Sequence, residues 1–413
     1  MFINRVLGDS KENEDFFKAR GPVPGNRSST ARCLAAFAHP IRSVSMEGCL
    51  CLLVAPFLFC VVICACSTAR CLAAFAHPIS SECMQRWLCL LVALFLLCFV
   101  VRACEGWIGC EMNQIDWLLD AYGLEQGPLF QTMNIQNVTG LGKTIEIGIR
   151  KVKEMLPIAN LAYREECPVS ELKIALQCGG SDAWSGITAN PALGKACDIL
   201  ISHGGTGLLA ETPEIYGAEH LLTKRSVNQE TGEKLVNLIK WWEDYTLRNK
   251  GTMDNNPSPG NKKGGLTTIL EKSLGASVKG GNTPLMGVYK YAEIVKEKGF
   301  TFMDSPGYDP ASVTGQIAGG CNIVCFTTGR GSAFGSKPAP TIKLATNTEM
   351  YTRMKDDMDI NCGDILDGRL SVEEKGKQIY EMIVRVASGE KSKSELQGLG
   401  DYEFVPWQIG AVM

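Results

Sequence analysis

Leu172-Lys173-Ile174-Ala175-Leu176-Gln177-Cys178-Gly179-Gly180-Ser181-Asp182 carries an apolar run into two adjacent glycines, and Ser185-Gly186-Ile187-Thr188-Ala189-Asn190-Pro191 continues the loop into a helical pattern. A strand that ends in a loop of Gly, Ser, Asp, Thr and Asn and then opens a helix is the basic unit of an α/β fold. Adjacent glycines let backbone N–H groups turn toward an anion, and a helix N-terminus adds positive partial charge. The stretch therefore suits a small molecule bearing a carboxylate or phosphate. A bare strand–loop–helix corner would explain two glycines, but not so many polar residues beside them.

The same rhythm recurs downstream. Strands are expected near 171–177, 208–211, 300–304 and 322–327. Helices are expected over 143–156, with Ile145, Ile149, Val152 and Leu156 on one face, from Pro191 to about Ser202, near 230–249, over 265–274 and from Pro310. Ser371-Val372-Glu373-Glu374 is a capping box for a last helix to about Ala387. Strands alternating with helices predict an α/β body: a largely parallel sheet with helices on both faces, in one or two subdomains over 111–413. Ligands of such sheets bind at the carboxyl ends of the strands, where the loops at 178, 304 and 328 converge.

Residues 1–110 are a different object. Ser29 to Ile41 returns unchanged as Ser67 to Ile79. Each copy runs into an apolar stretch, Cys49 to Cys66 and Trp87 to Val101, against the about 20 residues that a bilayer core requires. The segment reads either as a membrane hairpin or anchor, or as a gene-model artefact, a duplicated stretch foreign to the body. The near-exact duplication favours the second. Twelve of the 18 cysteines lie at or before Cys110, and the other six show no CxxC pairing. No zinc ribbon or disulfide framework is indicated, and the body reads as reduced and cytoplasmic, membrane-attached only if the repeat is real. A net charge of −3 leaves no footprint for nucleic acid.

The loops carry a resemblance. Gln177 to Asp182, Gly204-Gly205-Thr206, Glu211 to His220, Asn256 to Asn261, Gly264 to Lys272, Met303 to Pro310, Cys325 to Ser332, Asp357 to Gly363 and Glu403 to Gln408 follow one another as in the altronate/galactarate dehydratase family. The likeness covers roughly residues 138–413, the large C-terminal catalytic region of that family. It implies a hydro-lyase that eliminates water from a sugar acid to give a 2-keto-3-deoxy acid, with a divalent metal, Fe2+, as cofactor. A related lyase large subunit acting on another hydroxy acid such as sulfolactate is the alternative within the family. A non-catalytic, membrane-tethered fragment that binds such acids is the alternative outside it. Full-length members carry a small β-rich domain ahead of this region, which implies that such a domain or subunit completes the site. A homo-oligomer is also expected.

That chemistry directs the choice of residues. The carboxylate must be held, a proton beside it removed, and the departing hydroxide assisted. Gly179, Gly180, Ser181, Arg330 and Lys337 are expected to bind substrate, with Arg330 gripping a carboxylate bidentately. His220, Asp182 and Asp304 are expected to be catalytic, and Cys178, Glu211 and Cys362 to ligate metal. His203 and His220 are the body's only histidines. Glu214 and Asp309 are further loop carboxylates, while Cys197, Cys321 and Cys325 sit in apolar patterns. A lone histidine can equally satisfy a backbone group, and a loop aspartate can cap a turn.

Overall fold

The computed structural model describes residues 115–408, apart from 129, 139 and 162–164. The tandem repeat and its expected membrane runs lie outside the described residues. Among the described residues no helix is long and apolar enough to cross a membrane. The described residues fall into two compact units, one up to 161 and one from Glu165. In the first, α1 spans Ile115–Tyr122 and α2 spans Leu141–Ala159. The buried positions of α2 are Thr144, Gly148 and Met155. Ile145, expected on the buried stripe, is exposed.

The second unit is the α/β body. In chain order it runs β1 (Lys173–Cys178), α3 (Ala189–Ser202), β2 (Thr206–Leu209), α4 (His220–Thr223), α5 (Gln229–Arg248), α6 (Pro259–Lys263), α7 (Ile269–Ser277), β3 (Leu285–Tyr289), β4 (Gly299–Met303), α8 (Asp309–Ala318), β5 (Ile323–Thr328), β6 (Thr341–Ala345), α9 (Thr348–Arg353), β7 (Ile360–Asn361), α10 (Val372–Ala387) and α11 (Lys393–Leu396). Among the described residues all seven strands join one sheet in the order β3-β4-β2-β1-β5-β6-β7, and every pairing is parallel. From β1 the chain builds one wing through β2, β4 and β3. It then returns to lay β5, β6 and β7 on the other side. The loops that follow β1 and β5 thus face each other at the point where the winding reverses.

Side-chain alternation makes two cores. Ile174 and Leu176 of β1, Leu209, Phe300, Phe302, Ile323 and Cys325 pack with Leu193, Cys197 and Leu200 of α3 and Ile379 and Ile383 of α10. Ala175, Leu208, Met303, Val324 and Phe326 point the other way, onto Val313 and Ile317 of α8. Helices therefore cover both faces, and β1, β4, β5 and β6 are buried along their whole length, as parallel strands require. Gln177 interrupts the apolar face above α8. Its Nε2 donates to Ser312 Oγ (2.6 Å) and Gln316 Oε1 (2.7 Å), so the buried NH2 is partnered from the helix.

Two boundaries shifted for local reasons. β2 begins at Thr206, whose N–H already bonds to Leu172 O, and it ends before Glu211, which leaves the ladder at φ 72°. α7 starts at Ile269, because Thr268 Oγ1 accepts from Glu271 N–H and caps it there. β3, β6 and β7 were not expected. Gly287 and the buried Lys343 disguise the first two as loops, and the third has only two residues.

Of the body's cysteines, Cys178, Cys197, Cys321, Cys325 and Cys362 are free and buried. Cys167 is disulfide-bonded, contrary to the expectation of a wholly reduced body.

Candidate active site

Cys178 is the last residue of β1, and the Glu211–Glu214 turn follows β2 beside it. Hydrogen-bonded strands lie about 4.8 Å apart, so residues leaving adjacent strand ends come within reach of one another. The ligand atoms of Cys178, Glu211 and Glu214 lie within 4.8 Å of one another, all buried. Two lysines close over them. Lys272, on α7, places Nζ 2.6 Å from Glu214 Oε1 and 2.7 Å from Asn256 Oδ1. Lys279 Nζ is 2.8 Å from Cys178 Sγ, which in turn donates to Glu214 Oε2 at 3.3 Å. Asn256 Nδ2 adds a donor to Glu214 Oε1 at 3.3 Å.

Glu211 differs from its neighbours. It is 1 % exposed, and neither carboxylate oxygen has a hydrogen-bond partner among the described residues. Its backbone is left-handed (φ 72°, ψ 72°), a conformation that costs a non-glycine residue about 1–3 kcal/mol. Asp309 opens α8 on the far side of Gly179, and a Cβ on Gly179 would strike Asp309 Oδ2 and the Phe326 ring. The glycine at 179 is thus a requirement of space.

Burial and charge set the proton affinities. Burial, then Glu214 and Asp309, push the Glu211 carboxyl well above the usual carboxylate range. Burial and Glu214 lift Asp309 to about 7. Burial alone would raise Glu214 as well, but Lys272 and Lys279 outweigh it and hold the carboxyl below its ordinary value. Burial pushes the Cys178 thiol up to about 12, against the pull of Lys279. The thiol therefore keeps its proton and can donate to Glu214. Burial pulls both lysines down, but Glu214 and Cys178 raise Lys272, and Cys178, Glu211 and Glu214 raise Lys279, above the ordinary value.

The remaining expected residues fall into three groups. Gly180 and Ser181 belong to the loop after β1, and Gly180 O accepts from the N–H groups of Gly329 and Arg330 (3.1 and 2.9 Å). The loops after β1 and β5 are thereby stitched together, with the Arg330 side chain exposed above them. Ser181 Oγ is buried without a partner among the described residues. Asp182 is a brace for this loop: it accepts from Ser185 Oγ (2.9 Å), Thr346 Oγ1 (3.0 Å) and Asn347 Nδ2 (3.0 Å). Asp304, two strands from Cys178, spends Oδ1 on Thr212 Oγ1 (2.5 Å) and Trp242 Nε1 (2.8 Å).

Three residues stand apart from the cluster. His220 heads α4 with its side chain exposed. Cys362 lies in the apolar core with Ile342, Leu344 and Ile379, so Glu214 takes its place beside Cys178 and Glu211. Lys337 is drawn to the C-terminal loop, with Nζ 2.8 Å from Gly398 O and 3.4 Å from Asp401.

Sequence reasoning passed over Lys272, Lys279 and Asn256. Lys272 had a signal: it shares the buried face of α7 with Ile269, Ser273 and Ala276, at helical spacing. Lys279 had none, since a lysine before Gly280-Gly281 reads as solvated loop.

The donor set suits a divalent cation. Two carboxylates and a thiol, once the thiol gives up its proton to the metal, combine hard and soft donors suited to a first-row ion, and neither oxygen of Glu211 has a hydrogen-bond partner among the described residues.

A parallel α/β sheet with an ionic centre at the ends of two adjacent strands defines a small-molecule site of the doubly wound type. Residues 169–412 match the family described as D-galactarate/Altronate dehydratase, C-terminal, and the chain belongs to that family. It is 41% identical over 283 residues to altronate dehydratase of Bacillus subtilis strain 168, covering 68% of this chain and 56% of that one. It is 39% identical over 290 residues to galactarate dehydratase (L-threo-forming) of Escherichia coli K12, covering 69% and 55%. It is 36% identical over 265 residues to (2R)-sulfolactate sulfo-lyase subunit beta of Chromohalobacter salexigens, covering 63% and 68%. The chain thus spans just over half the length of the dehydratases it matches.

Proposed function

We propose that the chain is a hydro-lyase that removes water from a sugar acid of the altronate or galactarate class, giving a 2-keto-3-deoxy acid. The observation that carries this reading is the unpartnered, buried carboxylate of Glu211 among Cys178, Glu214, Lys272 and Lys279. Elimination from a 2,3-dihydroxy acid builds negative charge on the carboxylate side, and Lys272 and Lys279 supply fixed positive charge in a water-poor site. Asp309, holding its proton to about pH 7, is suited to protonate the departing hydroxyl. Gly179, Gly180, Ser181 and Arg330 line the loop proposed to take the substrate carboxylate. Cys178, Glu211 and Glu214 would hold Fe2+, which when bound polarises an oxygen of the substrate.

A second reading is elimination from a sulfonated hydroxy acid. It is favoured by the sulfo-lyase subunit, two thirds of whose length this chain covers. That relative's name also supports the proposal that a further small domain or subunit takes part. The test is an assay of the full chain on altronate, galactarate and sulfolactate, with and without Fe2+. Iron-dependent 2-keto acid from a sugar acid is the expected result. Sulfite release from sulfolactate alone would select the second reading, and no turnover with any of them, even with a partner small subunit added, would reject both.

A further inference from the structure

We propose that Ser305 is a positioning residue, whose hydroxyl and carbonyl hold Glu211 in its left-handed conformation and so aim its carboxylate into the cluster. The inference rests on the reading of that cluster as the reactive centre. Three bonds converge on two consecutive residues. Glu211 N–H donates to Ser305 Oγ at 3.0 Å. Thr212 N–H donates to Ser305 O at 3.1 Å. Thr212 Oγ1 donates to Asp304 Oδ1 at 2.5 Å. The loop after β4 thus holds the loop after β2 on both sides of the φ 72° residue.

The support is itself fixed. Ser305 is fully buried, and its hydroxyl donates to Ser312 Oγ (2.9 Å), which accepts from Gln177 on β1 (2.6 Å). Asp304 is anchored by Trp242 Nε1 at 2.8 Å. An orphaned buried carboxylate and a left-handed glutamate are each unfavourable, and they coincide at one residue. Left to itself, the chain would relax both by turning Glu211 back to negative φ. A strained residue persists only where its surroundings over-determine it, and such residues gather at reactive sites. Asp304 is among the residues expected to be catalytic. Its Oδ1 is occupied by Thr212 and Trp242, which ties it to Glu211's neighbour.

The test compares Ser305→Ala with Thr301→Val, which removes another buried hydroxyl, from β4 just ahead of that loop (Thr301 Oγ1 to Gly207 O, 3.2 Å). Crystal structures of the full chain and both variants should show Glu211 left-handed in the parent and in Thr301→Val. In Ser305→Ala it should be at negative φ, with its carboxylate withdrawn from Cys178. In the sugar-acid assay, Ser305→Ala should lose at least tenfold in kcat with KM within twofold, and Thr301→Val should lose neither. Ser305→Thr, which keeps the hydroxyl, should restore most of kcat. Glu211 remaining in place in crystals of Ser305→Ala would overturn the proposal whatever the activity. An inactive parent would count against the dehydratase reading alone, with the crystal comparison still deciding the role of Ser305.

Discussion

Replacing Lys272 with methionine should expose the energetic cost of the buried cluster. The Lys272 and Glu214 side chains are 8 % and 5 % exposed, and their atoms meet at 2.6 Å. Removing one partner of a buried pair leaves an uncompensated charge and costs about 3–5 kcal/mol. Asn256 Nδ2 still donates to Glu214 at 3.3 Å and the Lys279 ammonium remains nearby, which places the expected loss near the lower end, about 3 kcal/mol. For a unit of this size that is a fall of roughly 6–12 °C in Tm.

The loss should depend on pH, and its sign follows from Glu214. In the parent protein its carboxyl is held below the ordinary value, so the pair stabilises the fold fully above about pH 4.3 and less as pH falls through the depressed value. Without Lys272, burial dominates and raises the same carboxyl, so the variant weakens as pH rises. Urea titrations from pH 4 to pH 8 should therefore show the gap widening toward neutrality. Adding Glu214→Gln to Lys272→Met should recover much of the loss, since the Glu214 carboxylate is then no longer stranded without its lysine. A loss under about 1 kcal/mol at pH 8, the value of an exposed pair, would refute the reasoning.

Other substitutions probe the site separately. Gly179→Ala should give little folded protein, or a clearly lowered Tm, because its Cβ would strike Asp309 and Phe326; a normal melting curve would contradict the packing. Glu211→Gln should abolish turnover while leaving the fold intact. Its stability gain should appear as pH rises between the ordinary glutamate value and the raised one, so a urea midpoint below the parent's at pH 8 would count against an unpaired Glu211 carboxylate. Lys337→Ala should leave KM within twofold, since its ammonium already serves Gly398 and Asp401; a tenfold rise would return it to the substrate.

The sheet was legible wherever an apolar run met a glycine loop. β1, β4 and β5 lie within a residue or two of their expected places, because buried parallel strands are continuous apolar runs. β6 escaped notice because Lys343 lies at its centre, and a buried lysine cannot be told from a solvated one by pattern. The site was legible in part for the same reason. Cys178, Glu211 and the glycines stand out as polar groups after a strand. Lys272 and Lys279 become site residues only through the acids that they meet, which other segments supply. For Asp182 and Asp304 the sequence shows the carboxylate but not what holds it, because a carboxylate in a glycine-rich loop has few sequence-visible partners. Their donors, Thr346, Asn347 and Trp242, are far away in the chain.

The strand order also bears on how the centre comes into being. β1 pairs on one side with β2 and on the other with β5, which the chain reaches only after β4 and α8. Glu211, Lys272, Lys279 and Asp309 all lie in the intervening stretch. Pairings so distant in sequence form late, after loop closure has been opposed by entropy. Helical signal should then return early on dilution from denaturant, while the ability to bind a metal or turn over substrate lags behind it. Regained activity would time the insertion of β5 beside β1.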